Sequence, residues 1–339
     1  MASLTSDFVK VAALLSVGGL ATTAHAGMPS NAPAIDLGSS PAAITAPPPA
    51  VIPPHHSLPW QLRPLTTDSM IRVDTATAVF KDGQGNVDIA VPTVLAAQYR
   101  LGRHWAPTLE LAFVGNDAPG AALDGTALSN PVLGVTYAHE LHLWTFAVFG
   151  ATTIPIGAGG GATPNLRAAE TNAAARSARP ADAAMFAVDH MVGMAGATLA
   201  IPLAFLGHGF TTQVETTLLQ FVRVRGTAAD TFRTQTTVGL HLGTFIGAHV
   251  SIGADLLYRR WLSSPAPPGP GAGPRPTFAE AGADTTTLAV GPRFHFRVGK
   301  EASVHPGLSF IRGLDTRGLD APLLTPQVTA VQLDLPLTF

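Results

Sequence analysis

The chain ends in a strict alternation. Val331, Leu333, Leu335, Leu337 and Phe339 fall on one side, and Gln332, Asp334, Pro336 and Thr338 on the other. Successive side chains of a strand point to opposite faces, so a strand here has one apolar and one polar face. The pattern recurs upstream. Over 285–298, Leu288, Val290, Pro292, Phe294, Phe296 and Val298 oppose Thr287, Ala289, Gly291, Arg293, His295 and Arg297. Over 248–261, Val250, Ile252, Ala254, Leu256 and Tyr258 oppose Ser251, Gly253, Asp255, Leu257 and Arg259. Over 209–224, Val214 and Leu218 oppose Gln213, Glu215 and Arg223. These segments are long enough to cross a bilayer as strands. Only a closed barrel lets a sheet sit in lipid, because closure removes the edges and pairs every backbone group. The competing reading is a buried strand of a secreted sandwich.

Twelve such strands are predicted: 69–80, 87–101, 104–114, 130–139, 142–154, 184–206, 209–224, 231–245, 248–261, 285–298, 302–312 and 326–339. Their connections alternate in length. Those near Gly102, Glu140, Gly207, Ile246 and Gly299 are tight, whereas 115–129, 155–183, the stretch after Leu262 and 313–325 are long. Short periplasmic turns and long outer loops are the asymmetry of an outer-membrane barrel, and an even count puts both termini on the periplasmic side. Met191–Gly207 departs from the pattern by being apolar on both faces. It reads either as a strand packed inside against a plug, or as a short helix folded into the barrel mouth. Aromatic residues near strand ends, Trp105, Phe113, Trp144, Phe149, Phe210, Phe232, Tyr258 and Trp261, are expected to form interface girdles.

Three segments follow. Residues 1–26 read as a signal peptide: Lys10 precedes an apolar run from Val11 to Ala21, and Ala24-His25-Ala26 is a small-x-small cleavage site. Residues 27–66 read as a proline-rich periplasmic linker, with ten prolines between 29 and 64, that lies free or enters the pore from below. Residues 67–339 form the barrel. The chain has no cysteine, which excludes disulfides and thiolate chemistry. Charged residues make up 12% of it, about half the usual soluble level, and no basic stripe offers itself to nucleic acid.

Together these residues resemble the bacterial outer-membrane β-barrel proteins, whose chains typically end in an aromatic residue such as Phe339. In that family the last strand is read by the outer-membrane assembly machinery, so the resemblance implies that role for Phe339. The signal peptide, the dozen strands, Thr152-Thr153-Ile154-Pro155-Ile156-Gly157 before a glycine-rich loop, and the aromatic terminus are similar to the transporter-like barrels associated with aromatic-compound (phenol meta-pathway) degradation. That resemblance implies passage of small, often apolar molecules. The proline-rich linker departs from it.

The lumen carries the candidate functional residues. A charge facing lipid near the bilayer centre costs about 2–4 kcal/mol, so the charged residues of the strands are assigned to the inner wall. The pore-lining candidates are Arg100, Glu110, Glu215, Arg223, Arg233, Asp255, Arg259, Arg293, His295, Arg297 and Asp334, together with Asp88, His241 and His305. Such charges either form salt-bridge ladders across the lumen or make a polar, weakly anion-attracting path. Inner-face glycines such as Gly239, Gly253 and Gly291 leave room for a pore. No Gly-x-Ser-x-Gly elbow, His-Glu-x-x-His, phosphate loop or calcium loop occurs. Gly157–Gly161 lacks the lysine of a phosphate cradle and reads as part of the longest outer loop, whose alanine-rich continuation is a candidate helix and cap. The expected molecule is a channel or passive transporter for small solutes, without cofactor, metal or catalysis. It is placed in the outer membrane, with lipid as its surroundings. The alternatives are an outer-membrane phospholipase-type hydrolase and a sealed barrel acting through its outer loops.

Overall fold

In a computed structural model of the chain, the described residues are 57–81, 87–117, 125–141, 144–205, 208–226, 232–263, 285–299, 302–314 and 328–339. The predicted signal peptide and the first part of the proline-rich stretch lie outside them. Strands dominate: β1 (Met70–Lys81), β2 (Val87–Gln98), β3 (Trp105–Asp117), β4 (Gly125–Leu128), β5 (Val132–Leu141), β6 (Trp144–Thr153), β7 (His190–Phe205), β8 (His208–Arg223), β9 (Phe232–Ile246), β10 (Val250–Trp261), β11 (Thr285–Phe294), β12 (Phe296–Val298), β13 (Ala302–Val304), β14 (Gly307–Leu314) and β15 (Thr329–Thr338). Among the described residues one α-helix, α1 (Leu166–Ala178), and a single 3-10 turn at Pro180–Asp182 precede β7.

Every pairing is antiparallel, and β15 pairs with β1, so the sheet closes on itself. The fifteen segments make twelve staves. β4 and β5 both run along β3 and form one stave interrupted at 129–131. β11 continues into β12 across His295, and β13 into β14 across His305 and Pro306. The result is a closed twelve-stave antiparallel barrel. Threonine, valine, leucine and aromatic residues fill the staves, as suits a pleated surface with two different faces. Three of the short turns carry a glycine in the left-handed region, Gly102 (φ 72°), Gly247 (φ 68°) and Gly299 (φ 69°), where a side chain would be strained.

The faces follow the alternation read from the sequence. On β15, Val331, Leu333 and Leu335 are exposed on the outer wall, while Gln332, Asp334 and Pro336 are buried in the lumen. Outer positions elsewhere repeat this with Val290 and Phe294, and Val214 and Leu218. Met191–Gly207 is a strand over its described length, not a helix. Its double apolarity has a structural cause: Val192 and Met194 face inward against Met185, Phe186 and Ala175, which the preceding loop folds into the lumen. Apolar inner residues are stable there because that loop, not water, covers them.

Two segments therefore occupy the interior. From the long-loop end come α1 and the turn after it. Asn165 caps the helix by accepting a bond from the Ala168 amide at 3.3 Å. Its buried alanines pack toward β1 to β4, where only small side chains fit. Asn130 ties this loop to the wall: its side chain donates to the carbonyls of Ala187 and His190 and accepts from the Gly157 amide. From the short-turn end, where β1 begins at Met70, residues 57–66 run up into the lumen with Trp60 and Leu62 fully buried.

Some predicted positions are corrected. Trp105, Phe113, Trp144 and Phe232 are exposed on the outer surface, but Phe149 is buried inside. Trp261 also packs inward, onto Phe221 at 5.3 Å between ring centroids. Both lie on the inner parity of their strands, which proximity to a strand end does not reveal.

Candidate functional site

The inner wall brings together most of the residues assigned to it. Glu110, Glu215, Arg223, Arg233, Asp255, Arg259, Arg293, His295 and Asp334 all lie on inward parity and are buried or half-buried. His241 and His305 are buried beside them. Two of the assigned residues are exposed instead. Arg100 sits beyond the end of β2, exposed at the rim, and pairs with Asp68 at 3.1 Å. Arg297 lies in β12, past the break at His295, and is exposed. Both lie at the ends of their staves, where alternation alone does not separate the inner wall from the rim. The Asp88 side chain lies outside the described residues.

Residues 57–66 are held mainly through their backbone. The Ser57 amide donates to Thr211 Oγ1 at 3.2 Å. The Trp60 and Gln61 amides both donate to Asp255 Oδ2 at 2.7 Å. The Arg63 amide donates to Glu215 Oε2 at 2.9 Å, and the Arg63 carbonyl accepts from Gln213 Nε2 at 2.8 Å. The Trp60 carbonyl accepts from Arg72 and Gln332, and the Thr66 carbonyl from Gln98 at 2.6 Å. A proline-rich segment cannot pair with itself, so its free amides and carbonyls need partners once buried. The carboxylates and amides of the wall supply them. Side chains add to the fit. The Arg63 guanidinium lies 4.6 Å from the Phe149 ring centre and bonds Glu110 at 3.0 Å; that of Arg293 lies 4.2 Å from the Trp60 ring centre. Burial opposes the charge on Arg63, but Glu110, Glu215 and Asp182 hold its pKa above the ordinary value.

Inner-face glycines make the room. A side chain at Gly239 would collide with Leu62, one at Gly307 with Trp60, and one at Gly243 with Ser57. Of the glycines expected to leave room for a pore, Gly239 admits Leu62, Gly253 admits the His241 ring, and Gly291 lets β14 approach closely.

Beside the segment runs a chain of alternating charge. Asp334 accepts from Arg293 at 2.6 Å and from Arg72 at 2.7 Å. Asp74 accepts from Arg72 at 3.2 Å, from Arg179 at 2.8 Å and from Gln332 at 2.7 Å. Arg179 follows directly on α1 and also bonds Asp182, so the network ties the inner helix to β1. Burial disfavours the Arg179 charge, yet Asp74 and Asp182 raise its pKa above the usual value. A cavity of about 110 Å³ remains between the segment and the wall, lined by Trp60, Arg63, Asp74, Glu110, Arg179 and Glu215 among others.

One cluster has the outline of a nucleophilic triad that the sequence did not disclose. Ser57 Oγ lies 2.7 Å from His241 Nε2, and His241 Nδ1 lies 2.6 Å from Asp255 Oδ1. The surroundings make it a latch instead. Ser57 is 2% exposed, and a side chain on Gly243 would collide with its hydroxyl, so the serine is packed against the β9 backbone. The second oxygen of Asp255 is committed to the Trp60 and Gln61 amides. Attack needs space beside the oxygen and donors aimed at a developing oxyanion, and the backbone donors here are spent on the wall. A second buried group, Ser251–His295–His305, links β10, β11 and the break before β14 at 2.8 and 2.9 Å. Among the described residues, no group of three His, Asp or Glu side chains is placed to hold a metal ion.

No family model matches the chain, and no curated protein matches it in sequence. Solved structures do. The COG4313 outer membrane channel from Pseudomonas putida F1 is similar with a TM-score of 0.52 at 11% identity, over 87% of this chain and 100% of that one. The chain shares the closed-barrel fold of that protein. At that identity the likeness shows the fold alone. More distant from this outer-membrane-type barrel are the NanC porin, with a TM-score of 0.44 at 10% identity over 79% of this chain and 98% of that one, and the KdgM porin in complex with disordered oligogalacturonate, with 0.41 at 7% over 80% and 99%. The interior of the barrel described here is entered by the chain's own segments from both ends.

Proposed function

We propose that the chain is a passive channel of the bacterial outer membrane for small solutes, held shut by its own residues 57–66. The observation that carries this reading is the closed barrel with an apolar outer wall and a polar, charged lumen. In the proposed setting lipid surrounds the outer wall, the short turns and both termini face the periplasm, and Phe339 serves the assembly machinery. Phe339 is exposed at the end of β15, with its amide bonded to the Ser69 carbonyl. The resemblance to aromatic-pathway barrels implies small apolar or aromatic solutes. The wall around the segment, built from Asp255, Glu215, Gln213 and Arg72, fits polar solutes better. Catalysis has no support, since the only triad-like cluster found among the described residues has no room for a substrate. A permanently sealed barrel is the second reading, favoured by the filled lumen.

Recording from planar bilayers separates the two. The intact chain should give brief, infrequent openings. Asp255→Ala removes the acceptor of two segment amides and the partner of His241, and should lengthen the openings several-fold. Silence from both proteins supports the sealed barrel. The membrane setting has its own test. Leu333, 59% exposed at the middle of β15, is placed against lipid. Leu333→Arg should cost about 2–4 kcal/mol of folding free energy in lipid vesicles, read by denaturant titration. An unchanged midpoint would remove the outer wall from the bilayer.

A further inference from the structure

The wall recognises the main chain of residues 57–66 more fully than their side chains. Amides of residues 57, 60, 61 and 63 and carbonyls of residues 60, 63 and 66 are all bonded by wall side chains from β1, β2, β8, β10 and β15. Asp255 takes two consecutive amides on one oxygen, and Gln213 with Glu215 takes the carbonyl and amide of one residue, as a strand edge would. The polar side-chain atoms are served less well. Among the described residues, Trp60 Nε1 and Gln61 Nε2 are buried and find no hydrogen-bond partner, while the amides of the same two residues are held at 2.7 Å. Gln61 Oε1 does accept from Thr287 at 2.6 Å. A buried donor left unpaired is costly, so the wall hydrogen-bonds the backbone of these two residues more fully than the donors of their side chains, although Arg293 and Gly307 accommodate the Trp60 ring.

We infer that the lumen wall is a binding seat for an extended peptide, and that residues 57–66 occupy it as an internal competitor for an oligopeptide of another molecule. The inference rests on the channel reading above and names the substrate class of the same lumen. Backbone groups are common to all peptides, so these main-chain bonds do not depend on side-chain identity, while Gly239, Gly243 and Gly307 give the clearance that Leu62, Ser57 and Trp60 use. An internal segment has a high effective concentration, so a free peptide binds only when the segment leaves.

The test uses the full chain in detergent and a fluorescent peptide, Ser-Leu-Pro-Trp-Gln-Leu-Arg, the sequence of 57–63. Wild type is compared with Trp60→Ala/Leu62→Ala, which loosens the internal segment and leaves the wall intact. Fluorescence anisotropy should show at least tenfold tighter binding to the variant. Methylating the peptide amides that correspond to Trp60, Gln61 and Arg63 should weaken binding at least tenfold. A peptide with its other side chains shuffled around the proline should bind within a few-fold of the original. Leu62→Ala alone, run alongside, reads the same contrast if the double variant fails to give a heat-modifiable folded band. Equal binding of the methylated and parent peptides overturns the inference. So does an absence of binding to a variant that conducts in bilayers, which leaves the channel reading standing. Binding by a variant that never conducts supports the seat and removes the channel.

Discussion

Asp334→Ala is expected to destabilise the folded barrel by about 3–5 kcal/mol, the cost of breaking a buried ion pair and leaving its partner charged. Asp334 is fully buried and holds Arg293 at 2.6 Å and Arg72 at 2.7 Å. Without it Arg293, itself buried, keeps only its bond to the His305 carbonyl at 2.9 Å and its position over the Trp60 ring. The loss spreads, because Arg72 also bonds the Trp60 carbonyl and Asp74. The segment at 57–66 should therefore loosen along with the wall. The control is Asp68→Ala, which breaks the exposed pair with Arg100 at the rim and should change stability by less than about 1 kcal/mol. Denaturant titration of both variants reads the difference. Equal effects would mean that water reaches the inner network and screens it.

The staves were legible because each is a local pattern. Alternation over ten residues fixes which face of β15 meets the lumen, and Asp334, Arg293 and Asp255 could be placed inward from their own strands alone. Met191–Gly207 was legible as an anomaly, and its cause was among the readings offered: a strand whose inner face is covered. Alternation does not say where a strand ends, so it did not show that Arg100 and Arg297 are exposed near the ends of their staves. It also does not say which long-range partner a charge takes. Nothing near Glu215 or Asp255 in sequence announces that they accept amides from 57–66, more than 150 residues away. The proline-rich stretch was read as a linker because proline forbids a ladder. A lumen lined with side-chain acceptors needs no ladder. Entry into the pore was one of the two readings offered for it, and two signals favour it: Trp60 and Leu62 are large apolar residues in an otherwise thin segment, and the inner glycines Gly239, Gly243 and Gly307 leave space for them. The triad-like cluster was invisible for the same reason, since Ser57, His241 and Asp255 meet only when the segment is seated.

The central claim is that the seated segment closes a channel, and the absence of native cysteine allows it to be locked reversibly. A Cβ built on Gly239 lies 2.9 Å from Leu62 Cγ, the atom whose place a cysteine sulfur takes. A disulfide sets one Cβ about 3 Å from the far sulfur, so Leu62→Cys/Gly239→Cys should bridge the segment to β9 without moving either. Single-channel recording of this variant tests the claim most directly. Oxidised, it should be silent at all voltages; after reductant is added to the same bilayer, openings should appear at least tenfold more often. Single-cysteine variants should not respond to reductant. Equal conductance in the oxidised and reduced states, with the bridge confirmed by mass spectrometry, would contradict the account, since ions would then pass a lumen whose segment cannot leave.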